Sequence, residues 1–292
     1  MTFYGFNIDS EYPFLKYLHI DGPVDFYVDT QEYTNNSHKK IFIQVEPFAI
    51  RNNRDYLKQN AEKYDYILCH DASFLKNGIS YCPAATWLDP AYYEAVDPSK
   101  KQFRISHISG FKDWTMGHKI RKGIYMEQMR LSKFPLECFR SWVQPQLPNI
   151  NNNPFIPETV AFTTNHSGLS RTAKVILFTE FQFSVVVENT KETNYFSEKL
   201  VDCLLMKTIP IYWGCPNISV WFDTTGWICI QANTMDELLL ELQEKLSCLT
   251  EEYYASYTNV IEENYRRALT HCNMGKNIAA GLLSVPFVHA AF

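Results

Sequence analysis

The chain has 292 residues, 46% of them hydrophobic and 20% charged, with a formal net charge of −5. This balance excludes a disordered chain and supports the packed core of two ordinary domains or one large one, and the lack of a basic face argues against a nucleic-acid partner. No apolar run is long enough for a membrane span, and the opening MTFYGFNIDSEYPF has neither a basic nor an apolar leader pattern. A cytoplasmic or otherwise soluble protein is therefore expected, with any membrane association peripheral.

In chain order, VDFYV (24–28) reads as a short strand, followed by a polar loop over 30–38. KIFIQV (40–45) is the clearest strand of the first half and ends at Glu46-Pro47. Residues 52–63 are polar and helical in character, and YDYILC (64–69) is the next strand, running into His70-Asp71. Strand alternating with helix predicts a parallel α/β sheet. The polar, proline-containing stretch 89–101 marks a boundary between a domain at 1–98 and a second at 99–292. FRISHI (103–108) opens the second half as a strand, 119–129 reads as a helix, and 144–157, with four Pro and four Asn, reads as a loop. Two late helices are expected over 235–246 and 251–269.

Between the loop and the late helices lies the most informative unit. FQFSVVV (181–187) is apolar and β-branched, as a buried strand should be. The chemistry then turns polar through ENTKETNY (188–195), and a helix follows with Ser197 as N-cap and Leu200, Val201, Leu204 and Leu205 as its apolar stripe. Residues 208–213 return as a second strand, in which Pro210 predicts a short, bulged or near-edge position. Glu198 and Lys199 fall in the first helical turn, where free N–H groups and the helix dipole favour a phosphate. Loops after strands of an α/β sheet are also where ligands bind.

Other residue types suggest less. Eight cysteines are scattered without C-x-x-C or zinc spacing and read as reduced, buried thiols. His70, His107, His118 and His166 form no ligand set by spacing, and each reads as a core or surface histidine. There is no D-x-D motif of the kind that metal-dependent sugar transferases use to hold a diphosphate.

The stretch ENTKETNYFSEKLVDCLLMKTIPIYWG (188–214) resembles the donor signature of the family 10 glycosyltransferases, the α-1,3/1,4-fucosyltransferases. Their pattern runs F-E-N-[ST], then Y-[VIF]-[ST]-E-K-[LI], then [VI]-P-[VI]-Y-[WY]-G, and this chain departs from it at Val187, where the pattern has Phe. The resemblance implies a GT-B-like fold of two Rossmann-type domains facing a cleft, GDP-fucose as donor, a glycan hydroxyl as acceptor, and no metal or other cofactor. It implies that Lys199 and Arg121 contact the donor diphosphate, that Glu198 takes the ribose diol, and that Asn189 and Tyr195 lie near the diphosphate and sugar. Lys174 precedes the donor strand where the family often has lysine.

An inverting transfer needs a carboxylate to take the acceptor proton, and Glu46, at the end of the best strand of the first half, is the candidate. The family has a Glu after a strand here, usually followed by Asn, whereas Pro47 follows in this chain. Glu188 and Asp71 are the alternative carboxylates. Two other readings stay open at this point: the same fold with another nucleotide-sugar such as GDP-mannose, and a non-catalytic nucleotide- or carbohydrate-binding module.

Overall fold

The computed structural model describes residues 1–5, 14–110, 112–131, 135–140, 175 and 177–291. The expected loop 144–157 and Lys174 lie outside these residues. Two five-stranded parallel sheets organise the chain. In the first, β1 (Thr2–Gly5), β3 (Val24–Val28), β4 (Lys39–Ile43), β5 (Tyr66–Cys69) and β6 (Gly78–Ser80) lie side by side in that order. A short strand β2 (Leu18–Ile20) stands apart from this sheet. In the second, the order is β11 (Ile228–Cys229), β10 (Ile209–Trp213), β9 (Phe181–Val187), β7 (Gln102–Ser109) and β8 (Glu137–Arg140). Among the described residues no helix is long and apolar enough to cross a membrane.

Burial explains the central unit. All seven residues of β9 are buried, because helices cover both of its faces. Phe183, Val185 and Val187 share a core with Ile120 and Ile124 of α3 (Met116–Leu131), the third helix after α1 (Arg54–Asn60) and α2 (Pro90–Glu94). Val186 shares another with Leu200, Val201, Leu204 and Leu205 of α4 (Glu198–Leu205). Ser197 caps α4 as expected, its side chain accepting the Lys199 N–H. Pro210 sits one strand in from the sheet edge, and the edge strand β11 pairs only with Ile211 and Tyr212, so the proline stands outside that ladder.

The late helices differ from expectation. α5 (Met235–Leu246) forms as read, closed by a Thr234–Glu237 capping box. The single helix expected over 251–269 is instead α6 (Glu251–Ser256) and α7 (Thr258–Leu269), broken at Tyr257, whose backbone leaves helical geometry (φ −112°, ψ 20°). Of the eight cysteines, all free, five are buried, whereas Cys229 and Cys272 are half-buried and Cys248 is exposed.

The chain then crosses back. Ile278, Ala279 and Leu282 of α8 (Met274–Leu282) pack with Phe26, Ile41 and Leu68 of the first sheet, and β12 (Val288–Ala290) pairs antiparallel with β2. This return lies beside the outward connection: Thr86 N–H donates to the Cys272 carbonyl at 2.9 Å, and Asn277 Nδ2 donates to the Ala84 carbonyl at 2.7 Å. Buried Asp202 on α4 holds the same connection, accepting from Thr86 Oγ1 and from the Trp87 N–H at 3.1 Å.

Candidate active site

Because β7 and β9 run parallel and each leads into a helix, α3 and α4 begin at the same edge of the second sheet. Two helix N-termini at one edge concentrate positive potential there. The start of α3 also packs tightly against the chain just beyond β9. Gly117, in the first turn of α3, donates its N–H to the Asn189 carbonyl at 3.0 Å. A Cβ at that position would stand 1.7 Å from the Glu188 carbonyl oxygen. A glycine is required here by space, not by backbone angle.

Arg121, one turn further along α3, is 8% exposed. Its Nη1 donates to the Val187 carbonyl and to that of Glu188 at 3.3 Å, and its Nη2 donates to Asn189 Oδ1 at 3.0 Å. The backbone end of β9 therefore fixes the guanidinium. Burial opposes its charge while Glu188, Glu198 and Tyr195 favour it. Lys199, on α4, places Nζ 3.1 Å from Glu198 Oε1 and 3.2 Å from Ser197 Oγ. Tyr195 is buried, and burial among the carboxylates of Glu188, Glu198, Glu46 and Glu192 pushes its phenol well above the usual range.

The structure thus brings Arg121, Asn189, Tyr195, Glu198 and Lys199 to one place, while Lys174 lies outside the described residues. Glu46 approaches from the first sheet, just beyond β4. Its N–H and that of Val45 are held by Asp29, at 3.1 and 2.8 Å. Burial pushes the Glu46 carboxyl above the usual glutamate range; Lys199, Lys112 and Arg51 oppose this and Glu198 adds to it. The base candidate and the phosphate candidates therefore share one electrostatic environment across the two sheets.

The two alternative carboxylates are otherwise engaged. Glu188 is fully buried, and its oxygens accept the Ser197 N–H at 2.9 Å and the Ser197 hydroxyl at 2.6 Å. It anchors the cap of α4. Asp71 is paired with Arg54 at 2.9 Å and with the Ser73 hydroxyl at 2.6 Å.

Sequence reasoning missed His118. It is buried, three residues before Arg121 and so on the same helical face. Its Nδ1 accepts the Thr115 N–H at 3.3 Å and stands 2.7 Å from Thr115 Oγ1. Burial, then the charges of Arg121, Lys199 and Lys112, push the ring down to about 4. It is neutral at pH 7, with its proton on Nε2. The i, i+3 spacing to Arg121 at a helix start was the available signal. Lys112, in the turn before α3, was missed as well and adds a further positive charge.

No protein-family model matches the chain. Over 49 residues, 17% of this chain and 10% of the relative, it is 35% identical to the alpha-(1,3)-fucosyltransferase FucT of Helicobacter pylori. Over 103 residues, 35% of this chain and 22% of the relative, it is 26% identical to GDP-fucose protein O-fucosyltransferase 3 of Danio rerio. The matched stretches thus span well under half of either curated relative. Among solved structures, S. aureus TarM shares the fold at a TM-score of 0.50 with 9% identity, over 89% of this chain and 55% of that one. An alpha1,3-fucosyltransferase with GDP aligns at a TM-score of 0.48 with 14% identity, over 88% of this chain and 77% of that one. The fold is α/β and GT-B-like, and along its donor-side unit the chain resembles the family 10 glycosyltransferases, the α-1,3/1,4-fucosyltransferases.

Proposed function

We propose that the protein transfers fucose from GDP-fucose to a glycan hydroxyl with inversion at the anomeric carbon. The observation that carries this reading is the placement of Glu46, from the first sheet, in the electrostatic field of Glu198 and Lys199 at the start of the donor helix. The acceptor oxygen attacks the anomeric carbon, its proton passes to Glu46, and the bond to the diphosphate breaks as GDP leaves. Arg121, Lys199, the His118 Nε2–H and the two helix N-termini offset the charge that grows on the leaving diphosphate. This set supplies the positive charge that a D-x-D-bound metal supplies in other transferases, so the reaction as proposed uses no metal or other cofactor. Glu198, now paired with Lys199, turns to the ribose hydroxyls as the phosphate takes the lysine.

Support for fucose comes from the donor signature and from the names of both curated relatives. One of those relatives is named for protein fucosylation, so acceptor panels should include folded protein domains as well as free glycans. Calorimetry against GDP, GDP-fucose, GDP-mannose and UDP-sugars tests the donor. Selective binding of GDP and GDP-fucose is expected, and tighter binding of GDP-mannose or a UDP-sugar would overturn the choice. If GDP-fucose binds and no acceptor is ever fucosylated, the protein is a binding module.

Lys199→Ala is expected to weaken GDP binding by roughly 10- to 100-fold, the worth of one charge-assisted hydrogen bond. Its thermal midpoint should hardly move, because the Lys199–Glu198 pair is partly solvated. Unchanged GDP affinity would show that the diphosphate binds elsewhere.

A further inference from the structure

Glu192 belongs to the donor-side loop 188–195, yet its carboxylate bonds to the other half of the molecule. Oε2 accepts the Phe48 N–H at 3.1 Å and Oε1 accepts the Ala49 N–H at 3.0 Å, and His70 Nε2–H also donates to Oε2. The His70 ring is fully buried against Phe48 and Tyr195, with centroids 4.7 and 5.6 Å away, and its Nδ1 has no partner. The bond to Glu192 is thus what orients the ring. Asn194 repeats the grip, donating Nδ2–H to the His70 carbonyl at 3.0 Å while Asn217 and Trp221 hold its own oxygen. Burial disfavours the Glu192 charge, but His70 and the two N–H groups outweigh it and hold the carboxyl below the usual glutamate range.

Phe48 and Ala49 follow Glu46 across Pro47. Asp29 fixes the segment before this turn, through Val45 and Glu46, and Glu192 fixes the segment after it. In the loop that supplies Glu192, Asn189 is bound to Arg121, and the loop leads into Ser197 and the donor helix. We infer that Glu192 is a positioning residue: by pinning residues 48–49 to the donor-side loop it sets the Glu46 carboxylate against the bound donor. The inference rests on the fucosyl-transfer reading above, with Glu46 as base.

The test uses GDP-fucose with water as acceptor and follows GDP release. Glu192→Gln keeps the shape but loses the charge and one acceptor oxygen. It should slow release about 10- to 100-fold, the cost of a misplaced base, while the GDP Kd changes by less than about 3-fold. Added to Glu46→Gln it should cause no further slowing, because the two residues act through one group. Glu192→Asp, charged but shorter, should fall between wild type and Glu192→Gln, and serves if the glutamine variant folds poorly. Unimpaired release in Glu192→Gln, a loss that tracks GDP affinity, or a full additional loss on the Glu46→Gln background would each overturn the inference. Wild-type protein that neither binds GDP nor releases it from GDP-fucose would instead refute the transfer reading, and this inference with it.

Discussion

Glu46→Gln should bind GDP as wild type does and transfer fucose about 10²- to 10⁴-fold more slowly, the usual worth of a positioned general base. The amide keeps the size of the side chain and removes only its capacity to take a proton. Neither alternative carboxylate is placed to replace it, since Ser197 occupies Glu188, and Arg54 and Ser73 occupy Asp71. The pH profile carries a second signature. A base works only when ionised, so activity falls as pH drops through its pKa. Burial raises that pKa above the ordinary 4.5, so the acid limb of kcat/KM should lie above 4.5 in wild type and disappear in the variant. A variant with undiminished transfer, or one that loses GDP affinity in proportion, would remove Glu46 from the role of base.

Gly117→Ala should destabilise the fold by about 3 kcal/mol, at the upper end of overpacking costs, and abolish measurable GDP binding. The methyl would stand 1.7 Å from the Glu188 carbonyl oxygen and 2.8 Å from the Asn189 carbonyl carbon. Both are main-chain atoms at the end of a fully buried strand, so neither can swing aside as a side-chain tip would. Relief requires α3 to slide away from β9, which pulls Arg121 from the Val187 and Glu188 carbonyls and from Asn189. Urea midpoints and GDP titration read the two effects separately. Wild-type stability together with wild-type affinity would mean that the α3–β9 contact does not set the site.

What the sequence made legible was local. The strand 181–187, the Ser197 cap and the stripe of Leu200, Val201, Leu204 and Leu205 all follow from periodicity and capping within one unit, and β9 and α4 form there. The structure places five of the seven candidate residues together at the donor edge, with Glu46 facing them from the first sheet. The rest depends on distance along the chain. Glu192 bonds Phe48 across 144 positions and His70 across 122, and nothing in a polar loop announces such partners. His118 read as an ordinary histidine because its nearness to Lys199, which stands on a different helix, does not show in the local sequence. Nothing in the sequence sets Gly117 apart from the other ten of the 11 glycines, since the strand end that requires it lies about seventy residues further on.

The paired crossing between the halves has a mechanical consequence. The outward connection near 84–87 and the return near 272–277 lie against each other and are tied by the Thr86–Cys272 and Asn277–Ala84 hydrogen bonds. Any movement of one sheet against the other therefore bends two segments of chain together. With Asp202 holding the outward segment to α4, the two sheets are tied at two separate places, this crossing and the Glu192 bonds to residues 48–49.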